Sequence, residues 1–475
     1  MSRSVADDGF RITRRTALKS AAGASIGLGA ALAPGLPAWA RPVSKALGVK
    51  GPGSLPYPGL PEGTPTMPQI EHIVVVMMEN HSFDNIIGSV SHGARHGRPL
   101  DGLPVSQGQQ LAFNLDAQGN KVLSAHADTV CQDHAIPSQA WNASHISYDD
   151  GRNDGFVLAS GPRAMRYYDE IDLPFTYSVA EHFPIGQRYF CSCLAQTYPQ
   201  FRYLLTGTSS GVIRTDSSTF SVPAANGTIY DRFDRFGIDW KNYYDSLPAS
   251  LVVPGVATAS RAQRFVRGVH NFIEDAAANR LPQFSFVNPD YEAVSQENPQ
   301  DVQFGDRFLA RVTAAVTGSP QWDRTVLFIT YDEHGGYYDH VPPPAAIKPD
   351  DIPPLLQPGD VPGGFDRFGF RVPLIVVSPW ARKNYASNVV QDHTSITRFI
   401  ETKWNLGAMT FRDANAADMT DYFNFNVSHF ADPPQLAPPP DPQPGLEVCA
   451  EHGQFPPLPP TDVIAKTSAS RLPRT

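Results

Sequence analysis

The sequence has no excess of positive charge and no long apolar run in its main part. Its 38 lysine and arginine residues are outnumbered by 47 aspartate and glutamate residues, and the formal net charge is −9. Because proteins that bind nucleic acids neutralise phosphates with basic surfaces, no nucleic-acid partner is expected. After the N-terminal region, no stretch is apolar enough over a sufficient length to cross a bilayer, so no stable membrane anchor is predicted there.

Cysteine is also scarce, with four residues in the chain, which excludes a disulfide-rich scaffold. The four cysteines could form one or two structural disulfides or remain inert thiols, and their spacing does not choose between these outcomes. Cys191 and Cys193 are separated by one residue, but further soft ligands are absent from the neighbouring sequence. A zinc site is therefore not expected at this pair.

The N-terminus is typical of an export signal. Arg14 and Arg15 precede an Ala/Gly-rich apolar run, which ends in the small-x-small sequence Ala-Trp-Ala at 38–40. Residues 1–40 are therefore predicted to be a twin-arginine signal peptide, read by the twin-arginine export machinery, and the mature protein is expected to be periplasmic or secreted. The alternative is an uncleaved membrane anchor, which the shortness and glycine content of the run disfavour.

Buried strands alternate with helices in the main part of the chain. Continuous apolar runs at 73–78, 284–287, 326–330 and 374–377 are typical of strands covered on both faces. Helix-period segments are found at 262–280, 304–316 and 395–406. The alternation predicts an α/β fold with a mostly parallel central sheet flanked by helices. We expect a Pro/Gly-rich linker at 41–68, a catalytic domain at 69–430 with polar insertions at 89–170, and a Pro-rich tail at 431–475.

Two of the predicted strands run directly into pairs of oxygen-bearing side chains. Glu79 and Asn80 follow the first strand, and Asp332 and Glu333 follow the strand at 326–330. In open parallel sheets, ligands bind beyond the carboxyl ends of strands, so these side chains could converge. Oxygen ligands favour a hard cation, and one Ca²⁺, Mg²⁺ or Mn²⁺ ion is the expected cofactor. The alternative is that each acid only caps the loop or helix that follows it.

Thr197 is a candidate nucleophile because Pro199 marks the start of a predicted helix at this point. The positive end of a helix favours an alkoxide and an incoming phosphate. The simpler interpretation is that Thr197 is a helix N-cap.

His334 and His340 follow the second acidic pair. They could hold a phosphate oxygen or protonate a leaving oxygen, or they could only fix their loop through hydrogen bonds.

These segments resemble the motifs of one enzyme family. The sequence E-N-H-S-F-D at 79–84 is similar to the E-N-[RH]-S-F-D signature of bacterial phospholipase C and acid phosphatase enzymes, distant relatives of alkaline phosphatase. T-Y-D-E-H-G-G-Y-Y-D-H-V-P-P at 330–343 resembles their second long block. F-R-V-P at 370–373, with the Ser-Pro pair that follows it, and D-H-T-S at 392–395 match two further blocks.

The resemblance implies an alkaline-phosphatase- or sulfatase-like fold with one metal ion, surrounded by Glu79, Asn80, Asp332 and Glu333. It makes Thr197 the covalent nucleophile. It further implies that residues around the phosphate or leaving group include His134, Asp154, His334, His340, His393 and Arg202. Two positions depart from the family pattern. The Asn-Arg part of the nucleophile motif is altered here, with Gln200 in its first position, which leaves the role of Arg202 open. Asn298 stands where the family has a histidine. His134 or His340 would then have to supply the proton for the leaving group.

The expected activity is hydrolysis of a small phosphate ester or a phospholipid headgroup through a phosphothreonine intermediate. Longer phospholipase members of the family carry extra C-terminal β domains, and the end of this chain soon after the core favours a phosphatase or a general phosphoesterase slightly. A sulfatase-like esterase is a rival, although Thr197 cannot be converted to formylglycine. A non-catalytic exported binding protein is the remote alternative.

Overall fold

The computed structural model describes residues 48–93, 100–106, 109–132, 137–442 and 449, with the backbone alone at 91–93. The predicted signal peptide at 1–40, the first part of the predicted linker, His134 and most of the tail beyond residue 442 lie outside the described residues. Within the described part of the chain, no helix combines the length and the apolar character that crossing a bilayer requires.

The described residues form fourteen strands and ten α-helices. The strands are β1 (His72–Met78), β2 (Val105–Ser106), β3 (Gln109–Gln110), β4 (Phe113–Leu115), β5 (Lys121–Leu123), β6 (Ala125–His126), β7 (Arg166–Tyr167), β8 (Ile185–Gly186), β9 (Trp240–Tyr244), β10 (Phe265–Arg267), β11 (Phe284–Val287), β12 (Thr325–Tyr331), β13 (Leu374–Val377) and β14 (Ala386–Ser387). The α-helices are α1 (Phe83–Ile86), α2 (Trp141–Tyr148), α3 (Phe156–Ser160), α4 (Pro174–His182), α5 (Thr197–Thr206), α6 (Ile229–Phe236), α7 (Val269–Ala277), α8 (Val302–Thr317), α9 (His393–Trp404) and α10 (Phe411–Ala414). Short 3₁₀ helices occur at Gly88–Gly93, Asp149–Gly151, Pro162–Met165, Ser217–Ser221, Ala249–Val252, Ala259–Arg264, Trp322–Arg324 and Thr420–Tyr422.

An eight-stranded sheet forms the centre of the fold, in the order β10-β9-β11-β1-β12-β13-β8-β14. The strands from β10 to β12 run parallel to one another, whereas β13 runs antiparallel to both of its neighbours. Strands β1 and β12 are buried along their whole length, as expected for strands covered on both faces. The predicted α/β fold with a mostly parallel central sheet is confirmed.

The helix predicted at 262–280 is wrong in its first half. This segment contains a 3₁₀ helix, then β10, and only then α7, which begins after Gly268 at a φ of 94°. Residues of β10 pair with β9 at the edge of the sheet, so a tertiary contact overrides the local helical pattern. The helices predicted at 304–316 and 395–406 correspond to α8 and α9, and α9 has Asp392 as its N-cap.

The polar insertion at 89–170 contains three small two-stranded sheets: the antiparallel pairs β2–β3 and β4–β5, and the parallel pair β6–β7. Helices α2 and α3 lie between β6 and β7 in the chain and pack against each other. Cys131, also in this region, forms a disulfide with Cys449, while Cys191 and Cys193 are buried thiols. Both outcomes that the sequence left open for cysteine therefore occur.

Candidate active site at the ends of two central strands

The ends of β1 and β12 lie side by side in the middle of the sheet. Their register pairs Met78 with Tyr331, so the residues that follow each strand leave the sheet at the same level. The backbone N–H of Asn80 donates a hydrogen bond to Asp332 Oδ1 at 2.8 Å, and the N–H of Asp332 donates to the carbonyl of Met78 at 3.0 Å. The structure thus brings together the two pairs of side chains that the sequence predicts at one edge.

Gly335 makes this close approach possible. A Cβ atom at position 335 would lie 1.8 Å from the carbonyl oxygen of Asn80, and the residue has a φ of 65°. A Cβ atom at Gly336, which has a φ of 80°, would lie 2.5 Å from the backbone nitrogen of Ser138. A side chain at position 335 would therefore force the loops after β1 and β12 apart, and one at position 336 would displace the backbone at 137–138.

The carboxylates at the two strand ends are fully buried and repel one another. Burial raises the pKa of Glu79 well above its ordinary value, and the carboxylates of Glu297 and Asp332 raise it further. Burial likewise raises the pKa of Asp332, and the carboxylate of Glu333 raises it further. The N–H groups of Asn80 and Glu333, which donate hydrogen bonds to Asp332, and the nearby Thr197 hydroxyl oppose this rise. Neither Glu79 nor Asp332 forms an ion pair with a lysine or arginine among the described residues.

Thr197 is the first residue of α5, and its side chain is fully buried beside Asp332. Gln196, not Thr197, occupies the N-cap position, so the simple capping role does not apply. The contact with Asp332 falls outside the geometry of a standard hydrogen bond. By that criterion Thr197 Oγ1 and Asp332 Oδ2 are both buried without a partner in the described part of the chain.

Gln200 holds the loop that precedes this helix. Its Oε1 accepts a hydrogen bond from the N–H of Ser192 at 2.8 Å, and its Nε2 donates to the carbonyls of Cys193 and Ala195, each at 2.9 Å. Sequence reasoning treated this residue only as a departure from the family motif. Its position one helical turn after Thr197 indicates a role in holding the start of the helix, because a side chain there points back toward the helix N-terminus.

His393 and His334 take different places around Asp332 and Glu333. Nε2 of His393 donates to the backbone carbonyl of Asp332 at 2.6 Å, and Nδ1 receives the Tyr189 hydroxyl at 2.9 Å. Both ring nitrogens of His393 are therefore engaged, and the residue fixes the strand end instead of offering a free nitrogen to substrate. Burial lowers the pKa of His393 to about 4 and that of His334 to about 3, so both rings are neutral near pH 7.

Nδ1 of His334 lies 3.1 Å from Glu333 Oε2, which also accepts the N–H of Gly335 at 2.8 Å. Nε2 of His334 is buried without a hydrogen-bond partner among the described residues. Because the ring is neutral and Nδ1 faces a carboxylate, Nε2 carries a lone pair. Nε2 of His334 can therefore accept a hydrogen bond, but the neutral ring is unsuited to protonate a leaving group at neutral pH.

His340 belongs to a buried ionic network. Its Nδ1 lies 2.7 Å from Asp84 Oδ2 and its Nε2 lies 3.1 Å from Asp101 Oδ1. Arg371 binds Asp84 at 3.0 Å and Asp339 at 2.8 Å. Asp84, Asp339 and His340 are close enough together to hold a metal ion, but the guanidinium of Arg371 already supplies a cation there. Both ring nitrogens of His340 are occupied, which matches the loop-fixing role and not the predicted role as acid.

Arg202 and Asp154 are not brought into this group of residues. The buried guanidinium of Arg202 donates to the backbone carbonyls of Ser209, Val252 and Pro223, at 2.9, 2.9 and 3.4 Å. Asp154 is exposed and lies 3.8 Å from the Arg152 guanidinium. The predicted contact of Arg202 with substrate is therefore corrected, because its guanidinium holds loops against α5. Asp154 lies at the surface, and its contact with substrate stays a prediction.

Three residues near the site had no role in the sequence prediction. Glu297 adds negative charge beside Glu79, and the nearby Ser295 hydroxyl lowers the pKa of Glu79. Gln139 Nε2 lies 3.5 Å from Asn80 Oδ1. They belong to loops whose position depends on tertiary packing, so no local pattern indicates them.

The donor set fits one hard divalent cation. The carboxylate oxygens of Glu79, Oδ2 of Asp332 and Oγ1 of Thr197 are all buried without a standard hydrogen-bond partner in the described residues. Buried carboxylates that lack a basic partner are costly unless a cation compensates them. Oxygen donors of this kind suit Ca²⁺, Mg²⁺ or Mn²⁺.

The profile of the family described as "Phosphoesterase family" matches residues 70–407, which is most of the chain. The protein belongs to the phosphoesterase family. It is thus a hydrolase that acts on phosphoric ester bonds, and the relationship to bacterial phospholipases C expected from the motifs is confirmed.

Two relatives show the degree of similarity. The non-hemolytic phospholipase C of Pseudomonas aeruginosa is 29% identical over 404 residues, which cover 75% of this chain and 57% of that protein. The chain thus spans little more than half the length of the Pseudomonas protein. The non-specific phospholipase C1 of Arabidopsis thaliana is 31% identical over 402 residues, 78% of this chain and 74% of that protein.

Among solved structures, a protein in the alkaline phosphatase superfamily from Vibrio parahaemolyticus is similar with a TM-score of 0.37 and 9% identity. The match covers 76% of this chain and 72% of that chain. Similarity at this level does not bear on substrate or mechanism.

Proposed function

We propose that the protein is a metal-dependent phosphoric-ester hydrolase that works through a phosphothreonine formed on Thr197. The observation that carries the proposal is the buried, unpartnered hydroxyl of Thr197 beside Asp332, at the edge where Glu79 and Asn80 end β1. A threonine hydroxyl has no packing reason to stay unpaired among buried carboxylates. An arrangement that serves a reacting group explains the unpaired hydroxyl.

Glu79, Asn80 and Asp332 would hold one divalent cation, with Glu333 as the fourth predicted ligand. When bound there, the cation would neutralise charge on the phosphoryl group and lower the pKa of the attacking hydroxyl. The identity of the ion among Ca²⁺, Mg²⁺ and Mn²⁺ is left to elemental analysis.

In the proposed reaction, Thr197 Oγ1 forms a bond to phosphorus while the bond from phosphorus to the ester oxygen breaks. The proton of the Thr197 hydroxyl is released to solvent, and the alcohol leaves with a proton from an acid. Water then hydrolyses the phosphothreonine, and one of its protons restores the hydroxyl. The N–H groups in the first turn of α5 favour the negative charge of the phosphoryl group. Gln200 holds the preceding loop, so that the hydroxyl keeps its orientation through the reaction.

The source of the proton for the leaving alcohol is His134 in this proposal. His340 has both ring nitrogens bound to carboxylates, and His334 and His393 are neutral at pH 7. His134 is the remaining histidine among those that the family resemblance selects, and it lies outside the described residues.

Two substrate classes are compatible with this chemistry. The relatives from Pseudomonas and Arabidopsis are named as phospholipases C, which supports a phosphodiester at a phospholipid headgroup as the first candidate. A phosphomonoester is the second candidate, because attack by threonine on phosphorus serves both classes equally.

We further propose that the protein acts in the periplasm or outside the cell after twin-arginine export. Arg14, Arg15 and the Ala-Trp-Ala sequence at 38–40 support export. The disulfide between Cys131 and Cys449 suits an oxidising compartment. Detection of the mature protein in the periplasmic fraction, and its loss in an Arg14→Lys/Arg15→Lys variant, would test this step.

The reaction is tested with Thr197→Ala and Thr197→Ser in metal-supplemented protein. We expect Thr197→Ala to lower kcat by about a thousandfold or more, because the covalent route is lost, while Thr197→Ser keeps part of the activity. Release of p-nitrophenol is measured from p-nitrophenyl phosphate and from p-nitrophenylphosphorylcholine, which separates monoester from diester hydrolysis. Turnover of Thr197→Ala near the wild-type rate on both compounds would remove the nucleophile assignment.

A further inference from the structure

The β4–β5 hairpin exposes large apolar side chains on one face. Leu111 is 52% exposed, Phe113 39%, Leu115 43% and Leu123 53%. Phe113 pairs with Leu123 across the two strands, and the alternation of the strand places Leu115 on the same side as Phe113. Leu111 continues this alternation one step earlier. We call these four residues the apolar hairpin face.

The opposite face of the hairpin is anchored to the protein. Asn114, between Phe113 and Leu115, is buried, and its Oδ1 accepts the N–H of Phe156 at 2.8 Å. Phe156 in turn lies edge-on to the ring of His334, with 6.2 Å between ring centroids. The hairpin is therefore supported by the same layer of side chains that packs on the candidate active site.

The charge on the hairpin complements an anionic surface. Lys121 lies opposite Leu115 in the ladder, with its Nζ 4.2 Å from the centroid of the Phe113 ring. The strands β4 and β5 contain no acidic residue. The carboxylate of Asp116 in the connecting turn accepts hydrogen bonds from the N–H groups of Gln118 and Asn120.

We propose that the apolar hairpin face docks the protein on a phospholipid bilayer that carries anionic headgroups. Its leucines and Phe113 enter the boundary between headgroups and acyl chains, and Lys121 stays at the level of the phosphates. The inference deepens the proposed function, since it names the surface on which the enzyme meets a lipid ester.

The size of the face favours a bilayer over a second copy of the chain. A stable protein–protein interface buries about 800 Å² on each partner, and four half-exposed side chains provide only a fraction of this area. A lipid surface requires no such minimum, because each inserted apolar group contributes separately. The pairing of apolar groups with a cation, and the absence of an acid on the strands, also match a phosphate-rich surface.

Binding to vesicles tests the proposal independently of catalysis. The Thr197→Ala protein is sedimented with vesicles that contain equal amounts of phosphatidylcholine and phosphatidylglycerol, and with vesicles of phosphatidylcholine alone. We expect binding to the anionic vesicles, weakened roughly tenfold or more by Phe113→Ser/Leu123→Ser, because two large apolar groups are lost. The matched control is Leu355→Ser/Leu356→Ser, which removes two leucines of similar exposure elsewhere (50% and 43%) and is expected to change nothing.

Insertion is measured directly with an environment-sensitive fluorophore on Leu115→Cys. The free thiols Cys191 and Cys193 are buried, so the label goes to position 115. Fluorescence is expected to rise with anionic vesicles, and not with the same label on Leu355→Cys. The proposal is overturned if Phe113→Ser/Leu123→Ser binds the anionic vesicles as well as the Thr197→Ala protein without these changes. It is also overturned if Leu355→Ser/Leu356→Ser weakens binding to the same extent.

A concentration-dependent dimer that disappears in Phe113→Ser/Leu123→Ser, seen by sedimentation velocity without lipid, would assign the face to a second copy and also overturn the proposal. Hydrolysis of p-nitrophenylphosphorylcholine by the otherwise wild-type hairpin variant is expected to be unchanged. If the wild-type protein cleaves neither chromogenic substrate, the proposed function fails. Vesicle binding is measured on the inactive Thr197→Ala protein, so its result does not depend on that outcome.

Discussion

At the scale of single residues, the site is defined by buried oxygen atoms that lack partners. Glu79 and Asp332 have raised pKa values because burial and neighbouring carboxylates both disfavour their charged forms. A protein that kept these side chains only for stability would pair them with arginine, as it does for Asp84 and Asp339 through Arg371. The contrast between the two acidic groups separates the proposed cation site from a structural ion network.

A Glu79→Gln variant is expected to lose bound metal. The substitution keeps the size of the side chain but removes a negative ligand, so the affinity for the cation should fall about tenfold or more. Metal per chain is measured by elemental analysis after dialysis. Asp154→Asn serves as the control, because Asp154 is an exposed carboxylate outside the site. Full metal occupancy in Glu79→Gln would argue against ligation by this residue.

The His340 network predicts a dependence of stability on pH. Burial by itself would lower the pKa of His340, but the Asp84 carboxylate and the hydrogen bond with Asp101 raise it to about 9, above the ordinary value of 6.5. A raised pKa in the folded state stabilises the protein fully below pH 6.5, and this contribution is lost as the pH rises through 9.

Thermal unfolding between pH 6 and pH 10 measures this effect. The wild-type protein should lose up to about 3 kcal/mol of stability across the range from this group. His340→Gln, which cannot titrate, should be less stable at pH 6 and show a flatter profile. Parallel profiles for the two proteins would contradict the assignment.

At the scale of elements, two adjacent parallel strands and the start of one helix meet at a point. The run of apolar residues in β1 and β12 predicts each strand, and the register of the pair then sets Glu79 beside Asp332. Gly335 permits the contact between the two following loops. The position of α5 depends instead on side-chain packing, including the bond from Thr397 Oγ1 in α9 to the carbonyl of Leu204 at 2.7 Å.

Gly335→Ala is expected to disrupt this junction. Its Cβ would overlap the carbonyl oxygen of Asn80, and the positive φ adds strain, so the free energy of unfolding should fall by about 3 kcal/mol or more. Gly359→Ala is the matched control: Gly359 also has a positive φ, 97°, but its Cβ would have no neighbour within 4 Å. The control should cost only about 1–2 kcal/mol. Equal loss of stability in chemical denaturation of the two variants would contradict the steric explanation.

Local patterns fail where partners lie far away in the chain. The apolar spacing at 262–280 fits a helix, yet β10 forms because β9 offers it an edge for pairing. Arg202 and His393 fit a family motif, yet their side chains bind backbone carbonyls, which only the folded chain brings into reach.

At the scale of the whole molecule, the disulfide joins Cys131 in the insertion region to Cys449 near the end of the chain. The two residues are separated by 318 positions. Closing so long a loop restricts the unfolded chain, which stabilises the folded state by about 2–5 kcal/mol in typical proteins.

The midpoint of thermal unfolding should therefore fall when the protein is reduced with dithiothreitol. Cys131→Ser should unfold at the lower temperature with or without reductant, whereas Cys191→Ser should keep the sensitivity of the wild-type protein. An unfolding midpoint that reductant leaves unchanged in the wild-type protein would contradict a stabilising role for this bond.

The sequence by itself determined the α/β class, the strands that lead to Glu79 and Asp332, and membership of the phosphoesterase family. It could do so because these features rest on local apolar patterns and on contiguous motifs. Only the tertiary structure decided which of the selected side chains meet. It left Thr197 unpartnered beside Asp332, engaged His340 and His393 in internal bonds, and moved Asp154 to the surface. These outcomes depend on contacts between distant segments, and no local spacing encodes them.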